Sequence, residues 1–323
     1  MWHFIKLLRP LNLLILVATM YFMRVFVLAP MLKPNEMAVQ MTEPDFALLV
    51  LSILLIAAGG NIINDYFDVR ADRINKPGRV LVGRYVKRRV AMATHVVFNV
   101  VGILLGGYLA WKVGIWQLVI IHLFASGSLW FYSVIFKREF LIGNIIIALL
   151  AALIPLTVGV FEIPLIMEMY GHDVAAYFQT HYPEQDPTSF FKLLFYFILG
   201  FAGFAFLLTL IREIQKDLAD VRGDSQVGCR TLPIVLGVRR TQLIVLVLLG
   251  AAVVVVMMVA FYLLADQKSI LYAAIAVGIP LAVSQWLTLR AQDRQGFVKA
   301  FTWTKIAMAT GLCYALVFNF WVV

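Results

Sequence analysis

Phe46-Ala47-Leu48-Leu49-Val50-Leu51-Ser52-Ile53-Leu54-Leu55-Ile56-Ala57-Ala58-Gly59-Gly60-Asn61-Ile62-Ile63-Asn64-Asp65-Tyr66-Phe67-Asp68-Val69-Arg70-Ala71-Asp72 begins as an apolar run and ends in three carboxylates. The apolar part matches the roughly 20 residues that a helix needs to cross a bilayer. The polar end decides what such a helix is for. In a helix, Asn64, Asp68 and Asp72 stand at i, i+4 and i+8 and share one face. Asp65 lies one step aside, four residues after Asn61. Like charges at that spacing repel, so a stack of them at the end of a membrane helix implies a bound cation.

Working outward, the whole chain has the composition of a polytopic membrane protein. Of its 323 residues, 62% are hydrophobic and 14% charged, and the mean hydropathy is +0.89. The expected fold is all-α, one membrane domain over residues 1–323. Nine spans are predicted, at 11–30, 46–64, 90–111, 115–136, 140–161, 191–213, 241–264, 270–289 and 299–321. Lys6 and Arg9 precede an apolar segment with no small-residue cleavage site, so no removable signal peptide is expected. Cys229 and Cys313 have no metal-ligand spacing and read as two free thiols.

The basic residues set an expected topology. With the N-terminus inside, 21 Lys and Arg fall on the cytoplasmic side and four on the other, while Arg24 and Lys305 fall within spans. That asymmetry predicts a cytoplasmic N-terminus, an external C-terminus and cytoplasmic acidic motifs. The net charge of +9 then reflects topology, and no nucleic-acid partner is expected. The expected location is a bacterial-type inner or plasma membrane.

A second acidic run follows the sixth span: Arg212-Glu213-Ile214-Gln215-Lys216-Asp217-Leu218-Ala219-Asp220-Val221-Arg222-Gly223-Asp224. Glu213, Asp217, Asp220 and Asp224 again share one helical face. The two runs hold seven of the chain's 18 acidic residues, which is not random scatter. After the first run comes a basic turn with Lys76, Arg79 and Arg84 around Pro77-Gly78. Asn12 opens the first span as a polar residue expected to face the bundle interior or the headgroups. Residues 162–190, with His172, His181, Glu168, Asp173, Glu184 and Asp186, lack regular ligand spacing. They are expected as a solvated outer loop, with at most a short amphipathic helix. Lys305 is expected either to pair within the bundle or to snorkel.

Asp and Asn oxygens without Cys or His suit Mg²⁺. Mg²⁺ is held by few protein carboxylates and completes its shell with phosphate oxygens, and neighbouring Lys and Arg neutralise the remaining phosphate charge. The expected ligand is a diphosphate with an apolar tail between helices. Metal and cations would stabilise a departing diphosphate. If the tail is prenyl, Tyr66, Phe67 or Tyr132 could face the allylic cation.

These motifs resemble the UbiA superfamily of intramembrane prenyltransferases. The resemblance rests on Asn64-Asp65-x-x-Asp68-x-x-x-Asp72, the following Asn75-Lys76-Pro77-x-Arg79, and the second motif after the sixth of nine spans. It implies a nine-helix bundle around a central cavity open laterally to lipid. It implies two Mg²⁺ ions held by Asp65, Asp68, Asp72, Asp217, Asp220 and Asp224, with Asp68, Asp72, Asp217 and Asp220 central to catalysis. Asn64, Lys76, Arg79 and Lys137 would contact the metal–diphosphate, and Asn12, Tyr132, Glu213 and Lys216 would complete the substrate site. Glu213-Ile-x-Lys216-Asp217-x-x-Asp220-x-x-Gly223-Asp224 with Thr231-Leu232-Pro233 is similar to the geranylgeranylglyceryl phosphate geranylgeranyltransferase-like branch, and related runs occur in homogentisate prenyltransferases and chlorophyll synthases. Arg79-Val80-Leu81 departs from the family's usual Arg-Pro-Leu, and the 162–190 insert is long for the family. The implied reaction moves a geranylgeranyl or similar group from its diphosphate to a membrane-accessible acceptor, either a glycerol phosphate lipid or an aromatic quinone precursor. An ion-coupled transporter is the competing class, but transporter sites lie near the midplane and both motifs here lie at helix ends.

Overall fold

The structure is a computed structural model that describes residues 2–75 and 80–322. Among the described residues, nine helices are long and apolar enough to cross a membrane. They are Pro10–Asn35, Glu43–Phe67, Arg88–Lys112, Trp116–Val134, Ile142–His181, Ser189–Gln226, Val238–Leu264, Gln267–Arg290 and Arg294–Phe320, numbered here as spans one to nine. Short helices at Trp2–Leu8, Val69–Asn75 and Leu232–Leu236 accompany them. Val82 and Val86 form an isolated bridge in the turn after the second span.

The second span is organised at both ends. Thr42 caps its N-terminus by accepting from the Asp45 amide at 3.3 Å, and Pro44 sits in the first turn. Near its other end, Gly59 and Gly60 remove bulk where neighbours press in. A Cβ at Gly59 would lie 2.6 Å from Asn99 of the third span, and one at Gly60 would lie 2.7 Å from Leu129 of the fourth. Lipid tails are as apolar as leucine, so close van der Waals packing rather than hydrophobic exclusion holds such helices together. Spans two, three and four form one packed group, and spans six to nine form another. The fifth span pairs along its length with the sixth, and the first lies against the second, fifth and ninth.

The fifth and sixth spans contain 40 and 38 residues. At about 1.5 Å per residue each is nearly 60 Å long, about twice the hydrocarbon thickness. This corrects the expected loop over 162–190. The fifth span continues to His181, and the sixth begins at Ser189. The helix persists because Ile163, Ile166, Tyr170, Val174 and Phe178 maintain an apolar stripe that packs on the core. Glu162 apart, its charged and His residues Glu168, His172, Asp173 and His181 are exposed on the other faces.

Glu162, the first residue of that supposed loop, is completely buried. Its Oε1 accepts from Arg24 Nε at 2.9 Å, and its Oε2 accepts from the amides of Gln40 and Met41 at 3.1 and 2.9 Å. Arg24 also donates to Glu43 Oε1 at 2.6 Å and to the Met41 carbonyl. One guanidinium thus ties together spans one, two and five at the end opposite the acidic motifs. Lys305, by contrast, is exposed on the ninth span, with its ammonium 5.0 Å from the Phe301 ring centroid.

Removing one member of a buried ion pair leaves an uncompensated charge, at a cost of about 3–5 kcal/mol. Glu162→Ala should therefore lower the thermal unfolding temperature in detergent clearly, and Arg24→Met/Glu162→Leu should lower it less than Glu162→Ala alone. Equal melting temperatures for wild type and Glu162→Ala would contradict this account.

Candidate active site

The second span ends at Phe67, where the helix is interrupted rather than continuous through the motif. Asp68 takes φ −80° and ψ −4°, and a new helix covers Val69–Asn75. The hydrogen-bond ladder crosses the interruption: Asp68 N–H donates to Asn64 O at 3.0 Å, and Asp72 N–H to Asp68 O at 2.8 Å. The i, i+4, i+8 relation among Asn64, Asp68 and Asp72 therefore survives.

The sixth span runs without a break through the second motif to Gln226. A buried polar layer braces it. Gln215 donates to Ser284 Oγ at 3.0 Å and Thr288 Oγ1 at 2.9 Å, and accepts from Thr304 Oγ1 at 2.8 Å. Both ends of the amide are satisfied, which removes the penalty of burying it. Spans six, eight and nine are locked together two residues before Asp217. Asn144, at the start of the fifth span, donates to Asp217 Oδ2 at 2.8 Å. Arg294, at the start of the ninth, reaches Asp220 Oδ1 at 3.5 Å.

Gly143 lets the chain turn tightly before the fifth span, since a Cβ there would lie 2.7 Å from Phe136 O. That turn presents Lys137, whose ammonium pairs with Asp68 and donates to Asn64 Oδ1 at 3.3 Å. Burial acts to lower the pKa of Lys137, but the attraction of Asp68 together with Tyr132 more than offsets it, and the pKa is raised. Lys137 is a fixed cation at neutral pH.

These elements enclose a cavity of about 300 Å³, at the small end of the range for ligand sites. Asp68, Asp72, Asp217, Asp220 and Asp224 line it, with Arg70, Lys137, Arg138 and Lys216. Phe67, Ser133, Gln226, Val227 and Cys229 complete the wall. So many charges in so small a volume suit a multiply charged anion together with cations, not an apolar tail.

Five of the six expected metal carboxylates thus meet at one cavity, as do Lys137 and Lys216. Asn64 and Tyr132 are buried beside it, and Glu213 is held by Arg212 and by Lys216 at 3.0 Å. Two expected residues lie elsewhere. Asp65 is not in the lining but pairs with Arg9. Asn12 is exposed near the start of the first span and is not among the residues lining this cavity, although it shares a helix face with the buried Leu16 and Met20. Lys76 and Arg79 lie outside the described residues. Among the three aromatic candidates, Phe67 lines the cavity, whereas Tyr66 carries the Arg88 guanidinium 4.4 Å from its ring centroid. Arg70, Arg138, Asn144 and Gln215 had no assigned role from sequence. Arg70 lies between Asp68 and Asp72 and Arg138 beside Lys137, so adjacency was the available signal.

Among the described residues, no three His, Cys, Asp or Glu side chains converge tightly enough to hold a metal ion alone. The all-oxygen carboxylate set nevertheless fits Mg²⁺, which is held by one or two carboxylates with water and phosphate oxygens. The fit is to a metal–diphosphate assembly and not to a bare ion.

The chain resembles known proteins over most of its length. The model of the UbiA prenyltransferase family matches residues 16–309. A digeranylgeranylglyceryl phosphate synthase of Methanothermobacter thermautotrophicus is 29% identical over 312 residues, covering 95% of this chain and 92% of the relative. One from Thermococcus kodakarensis is 29% identical over 268 residues, covering 81% and 80%. A solved structure reported for digeranylgeranylglyceryl phosphate synthase in membranes superposes with a TM-score of 0.64 at 22% identity, over 98% of this chain and 96% of that one. A UbiA homologue from Archaeoglobus fulgidus bound to GPP and Mg²⁺ superposes with a TM-score of 0.57 at 15% identity, over 97% and 99%. At these identities the two structures speak for the fold.

Cys229 offers a direct test of the cavity. Burial pushes its thiol up to about 11, with Asp224 adding to the effect. Below that pKa the reactive thiolate fraction rises about tenfold per pH unit. In a Cys313→Ser background, maleimide labelling of Cys229 should be slow at pH 7, accelerate steeply toward pH 9, and be slowed by Mg²⁺ with inorganic diphosphate. Labelling indifferent to diphosphate would contradict the placement of Cys229 in the anion cavity.

Proposed function

Because the chain belongs to the UbiA prenyltransferase family, we propose that this integral membrane enzyme transfers a prenyl group from a prenyl diphosphate to the hydroxyl of a glycerol phosphate lipid. The observation that carries the reading is the cavity in which carboxylates from two motifs meet four Lys and Arg side chains. Asp68 and Asp72 on one side, and Asp217, Asp220 and Asp224 on the other, would hold two Mg²⁺ ions. When bound, Mg²⁺ supplies Lewis-acid stabilisation of the negative charge on the leaving diphosphate.

The chain's own groups do the rest. Lys137 and Lys216 add charge-assisted hydrogen bonds to the diphosphate oxygens, which strengthen as the carbon–oxygen bond breaks. Lys137 is aimed by Asn64 and Asp68, and Asp217 is aimed by Asn144. Phe67 presents an aromatic surface to the allylic fragment, where a positive charge is attracted to the ring. The acceptor oxygen then bonds to the allylic carbon and gives its proton to the released diphosphate or to water.

The acceptor class follows from two supports. The named relatives are digeranylgeranylglyceryl phosphate synthases. Arg70 and Arg138 line the cavity, are exposed, and among the described residues form no ion pair. Two guanidiniums at the mouth suit a second phosphate, whose charge and acceptor oxygens exceed those of the single carboxylate of an aromatic acid. The excess of Lys and Arg at the motif end supports a cytoplasmic site.

Two measurements test the reading. Asp68→Ala and Asp220→Ala should each lower turnover by about 10²–10³ while the protein remains folded, and EDTA should stop the wild-type reaction until Mg²⁺ is restored. Full activity in either variant would refute the site. A lost charge-assisted hydrogen bond is worth about 1.5–3 kcal/mol, so Arg138→Gln should raise KM for a glycerol phosphate acceptor roughly tenfold or more. Its KM for geranylgeranyl diphosphate should stay close to that of wild type. An equal rise in both would remove the argument for a phosphate-bearing acceptor.

A further inference from the structure

The first motif presents two polar stripes, not one. Asn64 and Asp68 share the face toward Lys137. Asn61 and Asp65 share another, rotated by about 100°. Asn61 Nδ2 donates to the Leu8 carbonyl at 2.9 Å, and Asp65 pairs with the Arg9 guanidinium. The second stripe therefore grips the junction between the Trp2–Leu8 helix and the first span.

That junction is built to aim Arg9. Arg9 takes φ 56° and ψ 63°, a left-handed conformation that crowds any side chain bearing a Cβ. It precedes Pro10, and a residue before proline is driven out of the right-handed helical region. The chain must break there, and the break turns the guanidinium onto Asp65. The surroundings are firm. Leu7 is completely buried in a cluster with Ile62, Val82, Val86 and Ala91, and His3 stacks on Tyr85 with ring centroids 3.8 Å apart. The Asp65 side chain keeps 16% of its accessible surface, yet it does not line the cavity.

We infer that Arg9 is a positioning residue for the transfer reaction, acting through Asp65 to set the rotation and height of the motif-bearing end of the second span. Asp65 serves this pair and is not a metal ligand. The pair aims Asn64 and Asp68 at Lys137 from a helix face about 100° away. The inference rests on the reading of the cavity as a Mg²⁺–diphosphate site.

The test uses the full chain in detergent. The readout is thermal stabilisation by inorganic diphosphate as Mg²⁺ is raised, taken as a midpoint concentration. Charge alone and positioning predict opposite signs for Arg9→Ala. Removing a cation near a cation site lowers the midpoint by electrostatics, whereas losing the aim of Asp68 raises it, by about tenfold for a group that orients a ligand. The expected result is a raised midpoint in Arg9→Ala and a return to within about threefold of wild type in the swap Arg9→Asp/Asp65→Arg. Asp65→Asn keeps a hydrogen-bond acceptor for Arg9 and should also stay within about threefold, while Asp68→Asn moves by more than tenfold. A lowered or unchanged midpoint in Arg9→Ala overturns the inference, as does a shift in Asp65→Asn as large as that in Asp68→Asn. If the swap does not fold, the comparison of Asp65→Asn with Asp68→Asn decides. Absence of any stabilisation in wild type would instead sink the reading of the cavity itself.

Discussion

Five carboxylates around a cavity of about 300 Å³ repel one another, and much of the surrounding structure answers that repulsion. Lys137 stands against Asp68, Arg294 against Asp220, and the Asn144 amide against Asp217. None of these partners comes from the helix that carries the acid it steadies. The charge is therefore held in place by spans drawn from across the sequence, and the site exists only in the assembled bundle. Its polar demands also explain why hydroxyls and an amide are buried directly beneath it, where Gln215, Ser284, Thr288 and Thr304 satisfy one another.

Much of this was legible in the sequence. Apolar runs of spanning length marked all nine helices, and the spacing of acidic residues marked both motif faces. Those signals depend on local periodicity, which survives folding because a membrane helix must satisfy its own backbone. Directions across the bundle were less readable. Periodicity placed Asp65 near Asp68 but could not show that a break at Arg9 would claim it. Asn12 was polar at a span's start, but that could not show that it stands outside the lining of the charged cavity. The 162–190 stretch read as a loop because it interrupts the apolar runs with charged, His and Pro residues, while the helix depends on the spacing of its apolar ones. Arg24 and Glu162 lie 138 positions apart, and nothing local links them.

The two ends of the molecule solve the same problem differently. At the end away from the motifs, Arg24 is satisfied by two carboxylates and a carbonyl and closed off from solvent. At the motif end, charges are only partly neutralised and remain accessible to a ligand. The Arg24 network suits an anchor, because each nitrogen of the guanidinium already has an acceptor. An incompletely compensated network suits a binding site, because free energy is still to be gained when counter-charges arrive.

The loops flanking the cavity are joined by a bond of a different kind. The Arg230 amide donates to the Arg138 carbonyl at 2.7 Å. This link is made wholly of main-chain atoms, so almost any residue at position 138 or 230 preserves it, proline at 230 being the exception. Side chains at the cavity mouth can therefore drift during evolution without loosening the loop that bears them. If Arg138 meets the acceptor as proposed, a lineage can exchange it to accept a different acceptor while Lys137, one residue earlier, keeps its place. On that reading acceptor choice and diphosphate handling are separately heritable.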